Sequence, residues 1–421
     1  MNRIYLCIDL KTFYASVECA LRGLDPFKTN LVVADPSRKN GALCLAITPA
    51  MKALGIHNRC RLFEIQKNVK YIIALPRMQK YIDTSAEVYS IYLRYVAKED
   101  IHVYSIDEAF LDVTNYLKLY RMTAEELAKT IMNDIYNELH LTATAGIGTN
   151  LFLCKVALDI TAKHIKSNIG YLDEQKFKDE LWLHTPLTDF WQIGRGISRR
   201  LNNMGLYTMK DIALCDEKRI YKEFGINGEF IIDHSKGIEP CTMKEIKNYK
   251  RENNSISQGQ VLFEDYTYDK ARIAMKEMVD LLSLELIDKK LVGNVLVLNI
   301  GYSKDIIKST GGAVKITQTT NVFSILLKYF DDLYFQTTSP DFPIRRITIA
   351  VDNVISEDKE FFDLFTDEEK VKKERSMERT INEIKKMYGK NSILKAMNLQ
   401  EGATTRKRNK LLGGHNSGEE N

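Results

Sequence analysis

The chain has 421 residues, 44% hydrophobic and 28% charged, so it is long enough for roughly two to four domains with buried cores. Its net charge of +4 is mildly basic, which permits nucleic-acid binding without requiring it. No apolar run approaches the roughly 18–20 residues that a membrane-spanning helix needs, and the seven scattered cysteines form no C-x-x-C pair. These features exclude a membrane span, disfavour a zinc site and favour the reducing cytoplasm.

The first 170 residues alternate strand-like and helical patterns in a mixed order. Residues 4–8 (IYLCI) predict a buried strand that ends at Asp9, and a helical pattern follows over residues 12–22. Short strands are predicted at 31–35 and 42–47. Further helices are predicted over residues 78–96, 123–139 and 150–165. This order indicates an α+β domain built on an antiparallel sheet.

Two shorter patterns within this region carry polar side chains. The segment IHVYSIDEAFLDVT at 101–114 alternates on both sides of Asp107 and Glu108, which predicts a hairpin with two carboxylates at its tip. A brief helix is predicted after Thr48, a suitable cap, with Pro49 at its first position.

The rest of the chain changes character twice. Residues 171–240 are helical and interrupted by glycine turns, notably at 191–214. Residues 247–354 return to strand patterns around a helix, and residues 355–421 are charged and mostly helical with a polar end. The chain is therefore expected to be an α+β protein of several domains.

Asp9, Asp107 and Glu108 can form one acidic cluster if their strands are neighbours in a sheet. Two-metal phosphoryl transfer needs such a cluster of hard, anionic oxygen ligands. A strand that ends in aspartate and a D-E turn are both common, however, so ordinary surface carboxylates at turns are the alternative interpretation.

The sequence around these acids resembles a known family. DLKTFYASVE at 9–18 and YSIDEAFLD at 104–112 closely resemble the two signature motifs of Y-family, translesion DNA polymerases. AGIGTNLFLCKVA at 145–157 resembles the later palm helix of that family, and IGRGISRRLNNMG at 193–205 resembles its thumb. The resemblance covers essentially the whole chain. The stretch at 388–415 is most similar to the polymerase V catalytic-subunit branch of Gram-positive bacteria.

The resemblance implies a right-hand polymerase with an antiparallel-sheet palm, small fingers, a helical thumb with a helix–hairpin–helix, and an α/β little finger. The implied boundaries are palm at 1–27 and 78–170, fingers at 28–77, thumb at 171–240, little finger at 247–354, and a clamp-binding or partner tail at 355–421.

The resemblance also implies a metal site. The carboxylates of Asp9, Asp107 and Glu108 and the backbone carbonyl of Leu10 would hold two magnesium ions. Tyr14, five residues after the first aspartate, would be the steric gate that packs where a ribonucleotide carries its 2′-hydroxyl. Phe13 would pack against the incoming sugar.

Cationic side chains are expected to bind the triphosphate, because its charge exceeds what the metal ions cancel. Lys52 occupies a position where relatives carry arginine or lysine, whereas a family tyrosine falls on Pro49. Lys163 matches a second phosphate lysine, although its spacing from Lys155 is one residue longer than in the polymerase IV branch. A solvated lysine is the alternative for Lys163.

Two segments are expected to contact DNA without reading its sequence. In the helix–hairpin–helix, Gly194 and Gly196 allow a tight turn that presents N–H groups to a phosphate, and Arg199 adds charge. Ser255 and Ser257 resemble the backbone-contacting segment of the little finger. The alternative for the first segment is a plain glycine-turned helix pair.

The segment FFDLF at 361–365 resembles the short peptide with which these polymerases bind the sliding clamp. Phe362, Leu364 and Phe365 would occupy an apolar pocket of the clamp. The alternative is a hydrophobic start to the next helix, because Thr366 and Glu369 form a suitable capping box.

The resemblance thus implies template-directed, error-prone DNA synthesis across lesions, without proofreading, in the cytoplasm near the nucleoid. Its partners would be primer–template DNA, dNTP and a sliding clamp, with a recombinase filament or accessory subunit as further candidates and no membrane. The alternatives are a catalytically silent DNA-binding relative and another palm-type nucleotidyl enzyme such as a cyclase.

Overall fold

The computed structural model describes residues 3–249, 255–362 and 366–418, except for the side chains of residues 38–40 and 305. The chain forms two compact units, which we call the first unit (residues 1–249 with 415–421) and the second unit (residues 250–414). Within the described residues no helix is long and apolar enough to cross a membrane.

The first half of the first unit is a mixture of strands and helices, as the sequence predicts. Its strands are β1 (Tyr5–Leu10), β2 (Leu31–Val33), β3 (Ala46–Ile47), β4 (Ile72–Ala74), β5 (Ile101–Val103), β6 (Glu108–Asp112), β7 (Ala143–Gly148) and β8 (Ile169–Leu172). Its helices are α1 (Phe13–Ala20), α2 (Pro49–Ala53), α3 (Met78–Tyr92), α4 (Tyr116–Tyr120), α5 (Ala124–Leu139) and α6 (Leu151–Val156).

The main sheet of this unit has five strands in the order β5-β6-β1-β7-β8. The central strand β1 pairs antiparallel with both β6 and β7. Its residues alternate between two cores, with Leu6 and Ile8 in a core with α5, and Tyr5 and Cys7 in a core with α6. Because both faces are covered, β1 is apolar from Tyr5 to Ile8, up to the acid Asp9.

A smaller sheet of three strands has the order β3-β2-β4. The strand predicted at 42–47 is only the two residues Ala46–Ile47, preceded by an isolated bridge at Leu43. Thr48 precedes α2, but its hydroxyl donates to the Thr29 carbonyl (2.8 Å) and makes no helix cap. The predicted cap is therefore wrong, because this hydroxyl is used to tie the helix start to a neighbouring loop.

The second half of the first unit is helical. Its helices are α7 (Glu174–Glu180), α8 (Arg195–Asn203), α9 (Met209–Leu214), α10 (Glu217–Phe224), α11 (Gly228–Ser235) and α12 (Met243–Asn248). The apolar faces of α7–α11 share one core with α6, which contains Phe152, Phe177 and Phe190, whereas Met243 of α12 packs in the core of Tyr5 and Cys7. The helical character predicted for residues 171–240 is confirmed.

The second unit is built on an antiparallel sheet of order β11-β10-β12-β9. Its elements are β9 (Ser255–Tyr266), α13 (Tyr268–Asp288), β10 (Leu291–Tyr302), β11 (Thr310–Thr320), α14 (Phe323–Thr337), β12 (Ile344–Asp352), β13 (Ile355–Ser356), α15 (Glu368–Tyr388), α16 (Thr405–Arg408) and β14 (Leu411–Leu412). The last strand of the chain is β15 (His415–Asn416), in the first unit. Helices α13 and α14 cover one face of the sheet and enclose a core. Among residues 255–362 and 366–414, no helix covers the other face.

Residues beyond β13 belong to the second unit through buried polar contacts. The carboxylate of Glu277 on α13 is fully buried and accepts hydrogen bonds from the Asn398 amide (2.8 Å) and the Thr404 hydroxyl (3.0 Å). The backbone N–H groups of Thr404 and Thr405 also donate to it. A buried carboxylate is stable only with such partners, so residues 398–405 are part of this fold.

Helix α15 begins one residue later than the predicted capping box implies. Asp367 is the cap, and its carboxylate accepts from the Lys370 N–H (3.1 Å). Thr366 instead bonds through its hydroxyl to Gln318. The capping box of Thr366 and Glu369 is therefore wrong, because the neighbouring aspartate is the stronger cap.

Candidate active site and nucleic-acid interface

A cavity of about 580 Å³ opens in the first unit beside the end of β1. Acidic, basic and aromatic side chains line it together. Among them are Asp9, Lys11, Phe13, Tyr14, Lys52, Arg59, Asp107, Thr144 and Lys163. The cavity therefore contains two of the three predicted acids and both predicted phosphate lysines.

Strand pairing brings the three carboxylates together. Asp9 and Glu108 are direct partners across β1 and β6, and Asp107 is the last residue of the loop before β6. The Leu10 N–H donates to the Asp107 carbonyl (2.9 Å), which fixes the loop against β1. The predicted hairpin exists, with the acids at the point where its loop enters β6.

The electrostatics of the cluster favour a cation. Burial, opposed by Lys163 and reinforced by the nearby Asp107 and Glu108 carboxylates, raises the pKa of the Asp9 carboxyl to about 6. Three acids within mutual electrostatic reach repel each other unless a positive charge lies between them. Two lysines supply that charge here.

Lys155 and Lys163 form a chain of ion pairs with the acids. The Lys155 ammonium lies 2.7 Å from Glu108 and 3.0 Å from Asp159. The Lys163 ammonium lies 2.7 Å from Asp159 and 3.4 Å from Asp9. The sequence reasoning named Lys155 only as a reference for spacing and missed Asp159, whose signal was its i+4 spacing to both lysines.

The donor set suits hard divalent cations, since it consists of carboxylate and carbonyl oxygens on two adjacent strands. Among residues 3–249, 255–362 and 366–418, however, no three acidic, histidine or cysteine groups converge closely enough to enclose an ion. The reason is visible in the ion pairs: Lys163 is drawn to Asp9 and Lys155 to Glu108. Metal binding at these acids therefore requires the Lys155 and Lys163 ammonium groups to move away from Glu108 and Asp9.

Tyr14 lies in the first turn of α1 and faces the cavity, as Phe13 does. Its ring stacks on Tyr81 of α3, with centroids 4.5 Å apart. Tyr81 in turn donates its hydroxyl to the buried Glu18 (2.8 Å), which also binds Arg77 in two-pronged fashion. The ring of Tyr14 is thus supported by a fixed platform, which the sequence reasoning did not foresee.

Several cationic side chains also line this cavity. Burial lowers the pKa of Lys52, and the neighbouring Lys163 lowers it further. Burial also lowers the pKa of Lys11, whose ammonium donates to the Asn168 side chain (2.6 Å). Pro49 lines the same cavity where a family tyrosine is expected. Lys11 and Arg59 were missed: Lys11 lies within the DLKTFYASVE motif but was given no role there, and Arg59 lies outside every motif.

The predicted helix–hairpin–helix centres on the start of α8. Gly194 is the residue before the helix, Gly196 lies in its first turn, and no atom lies within 4 Å of a Cβ built on either glycine. Arg199 is exposed. Arg200 is not available in the same way, because it pairs with Glu223 (2.7 Å) and covers the Phe224 ring.

The uncovered face of the second sheet, which we call the open face, carries small and neutral side chains. Ser255 and Ser257 of β9 are exposed on it. Its two central rows, read across β9, β12, β10 and β11, are Ser257-Ala350-Val297-Ala313 and Gly259-Thr348-Asn299-Gly311. Its cations, Lys315 and Arg346, lie outside these rows. Small side chains let another backbone approach a sheet closely.

The predicted clamp-binding segment is only partly described. Phe361 pairs with the end of β11, where its N–H donates to the Thr319 hydroxyl (3.0 Å) and its carbonyl accepts from the Thr319 N–H (3.1 Å). Phe362 is half-buried. Leu364 and Phe365 lie outside the described residues, so their role stays a prediction.

Comparison with known proteins agrees with this geometry. Residues 8–159 match the impB/mucB/samB family, and residues 253–364 match the C-terminal domain of that family. The chain belongs to this family. The expected membership of the Y-family, translesion-type polymerases is therefore confirmed.

Relatives of full length support the assignment. The chain is 31% identical to a putative UV-damage repair protein, UvrX, of Bacillus subtilis, over 98% of this chain and 97% of the relative. It is 29% identical to DNA polymerase IV 2 of the same organism, over 98% of this chain and 99% of the relative.

The fold has a counterpart among solved structures. A Y-family DNA polymerase chimera, Dbh-Dpo4-Dbh, superposes with a TM-score of 0.64 at 21% identity, covering 84% of this chain and 99% of that chain. The predicted α+β, multidomain right-hand fold is confirmed. Because the identity is low, this likeness concerns the fold alone.

Proposed function

We propose that this chain is a template-directed DNA polymerase that copies damaged templates by transferring a nucleotide from dNTP to a primer 3′-hydroxyl. One observation carries the proposal: a single cavity brings Asp9 and Asp107 together with Tyr14, Lys52 and Lys163. Acids for cations, a ring for the sugar and lysines for phosphates are what nucleotidyl transfer requires.

The acids Asp9, Asp107 and Glu108, with the Leu10 carbonyl, are proposed to hold two magnesium ions. Such ions supply charge neutralisation and an activated hydroxyl in phosphoryl transfer. The chain itself orients the substrate: Lys52 and Lys163 attract the triphosphate to the cavity wall. Divalent-metal dependence is a property of the family, and the number and identity of the ions are our proposal.

The incoming sugar is proposed to lie against Phe13 and Tyr14. Tyr14 is held by the ring of Tyr81, so it cannot easily withdraw from a 2′-hydroxyl. This rigidity supports its role as the steric gate that separates dNTP from rNTP.

We infer that the parts of the hand follow the fold. The five-stranded sheet would be the palm (1–27 and 78–170), the three-stranded sheet the fingers (28–77), and helices α7–α11 the thumb (171–240). The second unit would be the little finger, and it takes in residues well beyond 354 through the contacts of Glu277.

Duplex binding is proposed for two surfaces, each argued from its own unit. The open N-terminus of α8 at Gly194 and Gly196, with the free Arg199, suits a phosphate. The open face of the second unit, with Ser255 and Ser257 at its β9 edge, suits a sugar–phosphate backbone. Among the residues named on these two surfaces, none forms a pattern of hydrogen-bond donors for base edges, so duplex binding should be independent of the base sequence.

The two alternative functions do not account for parts of the molecule. A nucleotidyl cyclase needs neither the α8 turn nor an uncovered sheet of small residues. A silent DNA-binding relative needs no acids at the junction of β1 and β6, and no gate tyrosine beside them.

Primer extension with magnesium tests the proposal. Asp107→Asn keeps the shape of the loop and removes a ligand charge, so extension should slow by at least about 10²–10³-fold. Asp159 would be a poor control, because it pairs with Lys155 and Lys163 beside the acids. The control is therefore Glu125→Gln, since Glu125 lies on the surface of α5 and pairs with Lys129. Equal extension by wild type and Asp107→Asn would refute the proposed function.

We also propose that Phe362, Leu364 and Phe365 bind a sliding clamp. The pairing of Phe361 with Thr319 supports this, because it anchors the segment immediately before the three residues. A pull-down should lose the clamp when Leu364 and Phe365 are both changed to alanine. Full clamp affinity in that double variant would contradict the proposal.

A cytoplasmic location near the nucleoid is proposed on the same basis, since DNA and dNTP are found there. All seven cysteines are free thiols, as is usual in a reducing compartment. A recombinase filament or an accessory subunit stays a candidate partner that the described surfaces do not single out.

A further inference from the structure

The helix that follows β7 changes its winding at the active site. It is α-helical over Leu151–Val156, π-helical over Ala157–Thr161, and of the 3₁₀ type over Ala162–His164. A π turn bonds residue i to i+5 instead of i+4, so it accommodates one more residue than an α turn does. Isolated π turns are frequent at functional sites.

The π turn sets the direction of Lys163. Lys155 and Lys163 are eight residues apart, and eight residues of unbroken α-helix end about 80° beyond two full turns. When a π turn absorbs one residue, the pair is related as residues seven apart are, which is close to two turns. The two lysines therefore share one face of the helix, the face toward the carboxylates.

Asp159 lies within the π turn and contacts both lysines. One of its carboxylate oxygens is 3.0 Å from the Lys155 ammonium, and the other is 2.7 Å from that of Lys163. Each lysine also touches a predicted metal ligand, Glu108 at 2.7 Å for Lys155 and Asp9 at 3.4 Å for Lys163. Asp159 is thus the central acid of a five-membered chain of charges.

The neighbouring strand β8 leaves room for the wide turn. A Cβ at Gly170 would lie 2.6 Å from the Ala157 carbonyl and 3.0 Å from the Thr161 Cβ, the two ends of the π turn. A Cβ at Gly146 on β7 would clash with the Cys154 carbonyl of α6 and with the backbone nitrogen of Leu158 in the π turn. No larger residue fits at these two positions without moving the turn, so the sheet is shaped for it.

We propose that Asp159 is a positioning residue that keeps Lys155 and Lys163 beside the active site when cations occupy the carboxylates. The inference rests on the proposed function and deepens it. A cation at Asp9 takes that carboxylate from Lys163, and Asp159 then remains as its anionic partner. Lys163 is thereby held at the cavity wall, where a nucleotide triphosphate binds.

Without the charge of Asp159, Asp9 remains as the acid that pairs with Lys163 within the described residues. The ammonium then competes with the divalent cation for that carboxylate. Two consequences follow: the triphosphate loses a well-placed lysine, and more cation is needed to fill the site.

Nucleotide binding without chemistry is the direct test. The dissociation constant of the correct dNTP is measured on a dideoxy-terminated primer–template over a range of magnesium concentrations. Asp159→Asn should raise this constant about tenfold, the scale of one charge-assisted contact, and shift the magnesium midpoint upward. Glu125→Gln, which removes an acid at the same spacing from a lysine on α5, should change neither.

A double variant separates this role from a general loss of structure. In a Lys163→Gln background, Asp159→Asn should add little, because the side chain that it positions is gone. Fully additive effects in this cycle, or an unchanged dNTP constant in Asp159→Asn, would overturn the inference. Thermal melting and duplex affinity of each variant check that the fold is retained.

Deletion of Ile160 tests the register itself, since it would restore an α turn and leave Lys163 seven residues after Lys155, on the same face of the helix. The expected dNTP affinity is therefore close to that of wild type, whereas Gly170→Ala should weaken it by crowding the turn. A folded deletion variant with the affinity of Lys163→Gln would overturn the inference, and if it does not fold, the double-variant cycle decides. If the wild type shows no template-dependent dNTP binding, the proposed function fails instead.

Discussion

The cavity of the first unit and the open face of the second unit are opposite kinds of surface. The cavity concentrates acids, lysines and aromatic rings, and its charges are fixed by burial and by one another. The open face is a sheet of serine, glycine, alanine and threonine, with Lys315 and Arg346 outside its central rows. Nucleotide selection and chemistry need functional groups at fixed positions, whereas DNA binding that is independent of base sequence needs a smooth surface.

The largest effect that would sharpen this contrast concerns Tyr14. Tyr14→Ala removes the ring that would meet a 2′-hydroxyl, so discrimination between dNTP and rNTP should fall by about 10²-fold. The ratio of the two kcat/KM values measures it. Tyr14→Phe keeps the ring and should keep the discrimination. An alanine variant that still rejects rNTP would place the gate elsewhere.

Lys52 tests whether the cations of the cavity serve the nucleotide rather than the duplex. Lys52→Gln removes one charge-assisted contact, so KM for dNTP should rise about tenfold while duplex affinity stays unchanged. Steady-state extension and duplex titration give the two values. Lower duplex affinity with a normal KM for dNTP would contradict the assignment of these cations to the nucleotide.

The open face should show the reverse behaviour. Arg346→Ala should reduce the salt slope of duplex binding by about 0.9 if it neutralises one phosphate, a loss of a few-fold in affinity at moderate salt. Lys315→Ala is the matched variant, on the edge strand β11 of this sheet. Both should leave KM for dNTP near its normal value, and a changed nucleotide preference would contradict the assignment.

The smallest expected effect is on stability. Burial and neighbouring acids raise the pKa of Asp9 to about 6, above its ordinary value of 3.8, so folding favours its protonated form. The stability linked to this group is present below pH 4 and is lost as pH rises through about 6.

Asp9→Asn removes this loss. With chelator present, the variant should melt about 2–4 °C above wild type at pH 7.5, and the gap should close toward pH 4.5. Melting curves across pH measure it. A difference in melting temperature that does not depend on pH would mean that the pKa of Asp9 is not raised in the folded protein.

Local sequence predicted the strand that leads to Asp9 and the hairpin around Asp107, and the structure pairs these strands. The role of the acids as metal ligands stays a proposal. The helical character of residues 171–240 was equally visible. The sequence singled out Tyr14 but not the support of its ring, since Tyr81 reaches it from the distant helix α3 and is itself held by Glu18.

Two of the failures share one physical cause, a contact that overrides a local preference. Thr48 is a good cap by type, yet its hydroxyl donates to the Thr29 carbonyl. The spacing before Lys163 is one residue longer than in the polymerase IV branch, and helical periodicity alone could not reveal that a π turn absorbs the extra residue. Gly146 on β7 and Gly170 on β8, on the neighbouring strands, leave room for that turn.

The buried Glu277 has a practical meaning for anyone who recombines these enzymes. The family pattern stops at residue 364, whereas Asn398, Thr404 and Thr405, the partners of this carboxylate, lie beyond it. A graft cut at the limit of sequence similarity would leave a negative charge stranded inside the transplanted module. The exchangeable module is longer than the recognisable one, and a swap that extends to about residue 410 should survive where the shorter graft fails.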